Sequence, residues 1–162
     1  MPINNGQQIQ GGLLMKVERI LYPTDFSEGS ANALPFAKDL ARHYNAKLYI
    51  VHVVYDLIKT TGMHVPHVSS EELYKEMNTW GEREIEKCCA EEIRDIANVE
   101  KVILHGVPYE EIIKYVEKEK IDMIVIGTYG HSGLERFIFG STAERVVRRA
   151  PCTVLTVRPQ DK

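Results

Sequence analysis

The sequence predicts an α/β fold, a single five-stranded parallel sheet in the strand order 3-2-1-4-5 with helices on both faces. Two observations carry that prediction. Short β-friendly runs alternate with stretches of helical periodicity, and strands joined through helices pair in parallel with right-handed crossovers. The first and fourth runs are the most apolar, which places them centrally, where both faces of a sheet are covered. A chain of 162 residues, 44% of them hydrophobic, buries enough surface for one domain, expected over residues 15–162. Residues 1–14, with Asn4-Asn5-Gly6-Gln7-Gln8 and Gly11-Gly12, have no periodicity and little to bury, and read as a disordered arm.

The elements follow in order. Val17 to Tyr22 reads as strand one, broken by Pro23-Thr24-Asp25, and Ser27 offers an N-cap to a helix reaching about Tyr44. Leu34, Ala37, Leu40, Ala41 and Tyr44 have helical spacing, and Asn45 is a suitable stop. Lys47 to Val54 is strand two. Residues 55 to about 69 form a long loop, positioned to act as a lid, before a capped helix from about Ser70 to Ala97. Its apolar stripe, Leu73, Met77, Trp80, Ile85, Cys88 or Cys89, Ile93 and Ile96, reads as core packing. Val99 to His105 is strand three, and Pro108 opens a helix carrying Ile112, Ile113 and Val116. Ile121 to Ile126 is strand four, ending at Gly127. Ser141 is expected to cap a helix to Arg149, Pro151 stops it, and Thr153 to Val157 is strand five.

Composition excludes several classes of function. A net charge of −3 argues against general affinity for nucleic-acid phosphates. Cys88, Cys89 and Cys152 are odd in number and lack zinc-ligand spacing, so they read as reduced thiols. No apolar stretch is long enough to span a bilayer and the N-terminus lacks an apolar signal core, so a cytoplasmic protein without membrane contact is expected. His64-x2-His67 resembles a metal pair, but further ligands at usable spacing are missing and no metal site is assigned.

In the predicted sheet the chain winds in opposite directions from strands one and four, leaving a crevice at their carboxyl ends where ligands bind. This brings Pro23, Thr24 and Asp25 beside Ile126, Gly127 and Thr128. The segment from Gly127 to Thr142 then joins a buried strand to a helix N-terminus, with glycines at 127, 130 and 140. Glycines allow close backbone approach and angles closed to other residues, and free amides at a helix start favour an anion. Ser141 and Thr142 could add hydroxyl donors, with the amides of Gly130 and His131 closing the other side. Glycines beside strands also serve plain turns, so the pattern alone leaves both phosphate binding and turn geometry open. Asp25 could likewise cap the first helix, His131 could be a solvated loop residue, and His52 and His105 could be satisfied residues closing their strands.

The spacing G-x2-G-x9-G-S, met by Gly127, Gly130, Gly140 and Ser141, resembles the ATP-binding signature of the universal stress protein family. Ile20-Leu21-Tyr22-Pro23-Thr24-Asp25-Phe26-Ser27, His52-Val53, Gly106-Val107-Pro108 and Ala150-Pro151-Cys152-Thr153-Val154-Leu155 agree with it in order. The resemblance covers about residues 15 to 158. It implies a Rossmann-like fold of the adenine nucleotide alpha hydrolase type, with Pro23, Thr24, Asp25 and Val53 along adenine and ribose. Gly127, Gly130, Gly140 and Ser141 would surround ribose and phosphates, usually with Mg²⁺ or Mn²⁺ on the phosphates. Thr142 directly follows Ser141, whereas some ATP-binding members carry the hydroxyl one residue later. A homodimer through strand 153–157 is also implied, because an exposed edge rich in Val and Leu is prone to pairing.

The expected function is that of an ATP-binding, nucleotide-dependent regulatory or stress-response protein read by a protein partner. No G-x4-G-K-[ST] loop is present and no acidic residue has an evident role in activating water, so hydrolysis should be slow and no catalytic residue is assigned. The rivals are an adenylating enzyme of the same architecture, a flavin-binding electron carrier and a partner-binding module that uses no nucleotide.

Overall fold

The computed structural model describes residues 16–55, 70–128 and 140–158. The expected arm, the loop after strand two with His64 and His67, and Gly130 and His131 lie outside the described residues. The chain forms β1 (Arg19–Pro23), α1 (Glu28–Ala31), α2 (Leu34–Tyr44), β2 (Lys47–Tyr55), α3 (Ser70–Glu92), β3 (Val99–Gly106), α4 (Pro108–Glu119), β4 (Met123–Gly127), α5 (Ser141–Arg149) and β5 (Thr153–Val157). One parallel sheet runs in the order β3-β2-β1-β4-β5, as the alternation of strands and helices predicts.

Two helices depart from expectation. The helix expected from Ser27 to Tyr44 is two helices, because Pro35 has no N–H to continue the first and is tolerated only where a new helix begins. Asn32 closes α1 by donating from its amide side chain to Glu28 O at 2.9 Å. At the other end of α2, Asn45 takes the left-handed conformation (φ 51°) of a helix stop. The α3 helix ends at Glu92 rather than Ala97: Lys38 Nζ donates to the Glu92 carbonyl, and Ile96 N turns back to Ile93 O at 2.9 Å.

Alternation along the strands divides the core into two layers. Ile20, Tyr22, Leu48, Ile50, Met123 and Val125 face α2, α3 and the turn after α3 through Leu34, Ala37, Ala41, Ile85 and Ile93. Leu21, Tyr49, Val51, Ile124 and Ile126 face α4 and α5 through Ile112, Tyr115, Val116, Ala143 and Val146. The apolar stripe expected from Leu73 to Ile96 is core only along part of its length. Ile85 and Ile93 are buried, while Trp80 is 48% and Leu73 37% exposed.

Gly127 is required for packing. A Cβ there would lie 2.3 Å from the carbonyl oxygen of Gly29 and 3.0 Å from Ser30 Cα, so α1 can cross the end of β4 only over a bare backbone. Its φ is not positive, and Gly140 has an ordinary φ of −56°; the expectation that both adopt angles closed to other residues is corrected. Gly127→Ala should lower stability by about 1–3 kcal/mol, the usual range for overpacking. Urea unfolding checks it, and a midpoint equal to the parent's would show that the contact yields freely.

Candidate functional site

β1 and β4 lie side by side, with Ile20 opposite Met123 and Leu21 opposite Ile124. Beyond them the chain turns to opposite faces, into α1 and α2 from β1 and into α5 from β4, and a cleft of about 240 Å³ opens at the carboxyl ends. Pro23, Thr24, Asp25 and Ser30 form one wall, Val51, Val53, Pro108 and Ile112 an apolar second. Ile126, Gly127 and Thr128 form the floor, and Gly140, Ser141, Thr142 and Ala143 the third wall. The sequence-predicted residues thus meet in one cleft, apart from Gly130 and His131 outside the described residues.

The β1 wall is held by its own side chains. The Thr24 amide extends the sheet by donating to Val51 O at 2.9 Å. Its hydroxyl accepts from Phe26 N at 3.0 Å and shares a hydrogen with Ser30 Oγ at 3.1 Å. Ser30 Oγ donates to Ser27 O at 2.9 Å, which makes the Thr24 hydroxyl the donor of that pair. Asp25 Oδ1 accepts from Ser27 N at 3.0 Å and Ser27 Oγ at 2.5 Å. Helix α1 is capped by Ser27 rather than Asp25, through Ser30 N. Tyr22 OH reaches Ser30 O at 3.1 Å beneath the wall, and burial raises its phenol to about 12, so it stays neutral.

The β4 wall is open. Thr128 N continues the sheet to Val157 O at 2.9 Å, and Gly140 N returns to Thr128 O at 2.7 Å. Gly140 is the N-cap of α5, with its carbonyl accepting from Glu144 N at 3.0 Å, and it has no side chain with which to cap the helix. The expectation that Ser141 is the cap is corrected: it is the first helical residue and points an exposed side chain along the cleft. First-turn amides therefore face the cleft with the positive end of a helix. Thr128 Oγ1, in a residue only 2% exposed, has no hydrogen-bond partner among the described residues. Among the described residues no group of three His, Cys, Asp or Glu could hold a metal ion by itself.

Residues 16–158 match the Universal stress protein family. The chain belongs to that family. It is 36% identical to Universal stress protein MJ0531 of Methanocaldococcus jannaschii over 99% of this chain and 89% of that one. It is similar to the solved structure of MJ0577 from the same organism, with TM-score 0.78 and 29% identity over 91% of this chain and 99% of that one. A universal stress protein of Archaeoglobus fulgidus, solved in complex with dAMP, is 21% identical at TM-score 0.53 over 88% of this chain and 98% of that one, a likeness of fold.

This universal stress protein domain builds its cleft partly from residues that motif reading passes over. Val51 precedes Val53 on the same strand face, and Ile112 lies one helical turn after Pro108, so sheet register and helix periodicity bring both to the apolar wall. Ser30 and Ala143 carry no comparable signal. Of the strand-closing histidines, His105 is exposed, while His52 is a satisfied residue of the opposite layer, with Nδ1 2.9 Å from Thr24 O. A carbonyl only accepts, so Nδ1 carries the proton of the neutral ring. No helix among the described residues is long and apolar enough to cross a membrane.

Burial lowers the His52 pKa below 6.5, against smaller opposing effects of the Thr24 carbonyl and Asp25. The unfolded chain therefore binds more protons than the native one between the lowered value and 6.5, and stability contributed by the neutral ring is lost as pH falls through that window. The urea midpoint should drop between about pH 7.5 and about pH 5.5, and drop less in His52→Asn. Equal drops in both proteins would remove His52 as the cause.

Proposed function

We propose that the cleft binds ATP, with Mg²⁺ or Mn²⁺ carried on its phosphates, and that the protein is a nucleotide-dependent regulator read by a protein partner. The observation that carries this reading is the Thr128 hydroxyl, buried without a partner among the described residues beside a helix start whose N-cap, Gly140, has no side chain. Leaving a buried polar group unsatisfied costs about 1–3 kcal/mol, and a ligand that accepts or donates there recovers it. The first-turn amides of α5, in the residues Ser141, Thr142 and Ala143 that line the cleft, suit an anion, and the apolar wall of Val51, Val53, Pro108 and Ile112 suits a flat base. Ribose then falls beside Asp25, with Ile126 and Gly127 beneath it. Gly130 and His131 are assigned to the phosphates by family resemblance. The dAMP complex of the Archaeoglobus fulgidus protein supports a nucleotide as the ligand class for this fold.

Binding rather than turnover is the reading favoured by the lining. Among the described residues the cleft offers no Lys or Arg to neutralise charge on a transferring phosphoryl group. Thr128→Val tests the assignment. It removes the orphaned hydroxyl at almost constant shape, so the ligand-free protein should keep or slightly gain stability while ATP-Mg²⁺ affinity, measured by calorimetry, falls about two- to tenfold. Undiminished affinity would refute the assigned contact. Steady hydrolysis above about one turnover per second would instead make the protein an enzyme.

The same proposal includes a homodimer through β5. That strand pairs with β4 on one side and has no strand on the other among the described residues, and Val154 and Leu155 are only half-buried. Sedimentation at micromolar concentration should show about twice the 18.5 kDa chain mass; an exclusively monomeric species would contradict it.

A further inference from the structure

The wall formed by Thr24 and Asp25 is gripped from behind the sheet. His52 lies on β2 between Val51 and Val53, whose side chains line the cleft; its own side chain points to the opposite layer. There it reaches around the edge of β1 to the Thr24 carbonyl at 2.9 Å. Because the Thr24 amide is bonded to Val51 O at 2.9 Å, β2 holds Thr24 through its N–H and its C=O together. The peptide that carries the Asp25 amide is thereby fixed in orientation.

The next residue shows that this grip works against local preference. Phe26 has φ 61°, a left-handed conformation unfavourable for a bulky side chain and found where the surroundings over-determine the backbone. Its ring lies 4.7 Å from the His52 ring and meets Trp80 edge-on at 5.3 Å, and Trp80 lies 5.6 Å from His52. Gly81 leaves room for this cluster, since a Cβ there would sit 3.1 Å from His52 Cδ2. The ligand wall thus leans on one imidazole and two aromatic rings, one of them the only tryptophan in the chain.

We infer that His52 is a positioning residue of the ligand site, holding the Thr24–Asp25 peptide in its binding orientation through Thr24 O, and that Trp80 senses occupancy of the cleft through the same ring. The ligand part rests on the ATP reading above; the grip on the turn does not.

Three variants test it. His52→Asn places an amide nitrogen where Nδ1 stands, His52→Leu removes the donor at similar bulk, and His52→Gln carries its amide one bond too far. Hydrogen exchange of the segment 24–27 is measured in the ligand-free proteins, with ATP-Mg²⁺ affinity and Trp80 emission measured alongside. Exchange should quicken about tenfold in the Leu and Gln variants, affinity should weaken about tenfold, and the emission change on adding ATP-Mg²⁺ should be lost, with Asn staying within about twofold of the parent. If the Leu variant does not fold, Asn against Gln decides. Parent-like exchange in Gln, or an Asn variant as impaired as Gln, overturns the inference. Quickened exchange in a protein whose parent binds no ATP upholds the grip on the turn and overturns the ligand reading.

Discussion

Pairing of β1 with β4 is the constraint from which the rest of the molecule follows. Each strand must hand its chain to a helix, and adjacent parallel strands whose helices lie on opposite faces leave the ground between their ends uncovered. Here α2 packs with α3 under one layer and α5 with α4 over the other, so neither can close the gap. The contact that lets the strands end so near one another is backbone on backbone, Gly127 against Gly29. A side chain at Gly127 would push α1 outward and carry Ser27 and Ser30 with it, and these two support the Thr24 wall.

The two walls differ in their polar accounting, and that difference assigns their tasks. On the β1 side nearly every polar group already has an intramolecular partner: Thr24 Oγ1 with Phe26 and Ser30, Asp25 Oδ1 twice with Ser27, Ser30 Oγ with Ser27 O. On the β4 side the Thr128 hydroxyl has no partner among the described residues, and Gly140 brings no side chain to cap the first amides of α5. A satisfied wall is rigid and gives shape; an unsatisfied one draws a ligand that supplies acceptors. The cleft is accordingly stiff where a base and sugar would lie and receptive where an anion would.

Much of this was legible in the sequence, for physical reasons that can be named. Strand runs such as Lys47 to Val54 are nearly continuously apolar because both faces are covered, and Pro151 ends α5 because it cannot extend a helix. The crevice followed from strand order alone. What sequence could not supply were contacts across distance. The reason for a glycine at 127 lies in α1, at Gly29 far upstream, and not in a special backbone angle. Pro35 did signal the break between α1 and α2, but the run Leu34, Ala37, Leu40, Ala41 is apolar enough to hide it. The exposure of Trp80 was hidden in the same way, since periodicity reports a stripe and says nothing of where its neighbours stop.

The segment Pro23-Thr24-Asp25-Phe26-Ser27 also changes meaning once its bonds are traced. As a motif it reads as a set of ligand-binding side chains. As a structure it is chiefly a set of side chains binding one another: the Thr24 hydroxyl is spent on Phe26 and Ser30, and Ser27 divides its hydroxyl between Asp25 and the start of α1. Such a segment resists conservative exchange for two reasons at once. Thr24→Val would keep the shape presented to the cleft and still strip the Phe26 amide of its acceptor, in a turn already held at an unfavourable φ. The geometry of the wall is therefore a property of the whole turn, of β2 behind it through Val51 and His52, and of Gly127 beside it, and no one of its residues can be reassigned alone.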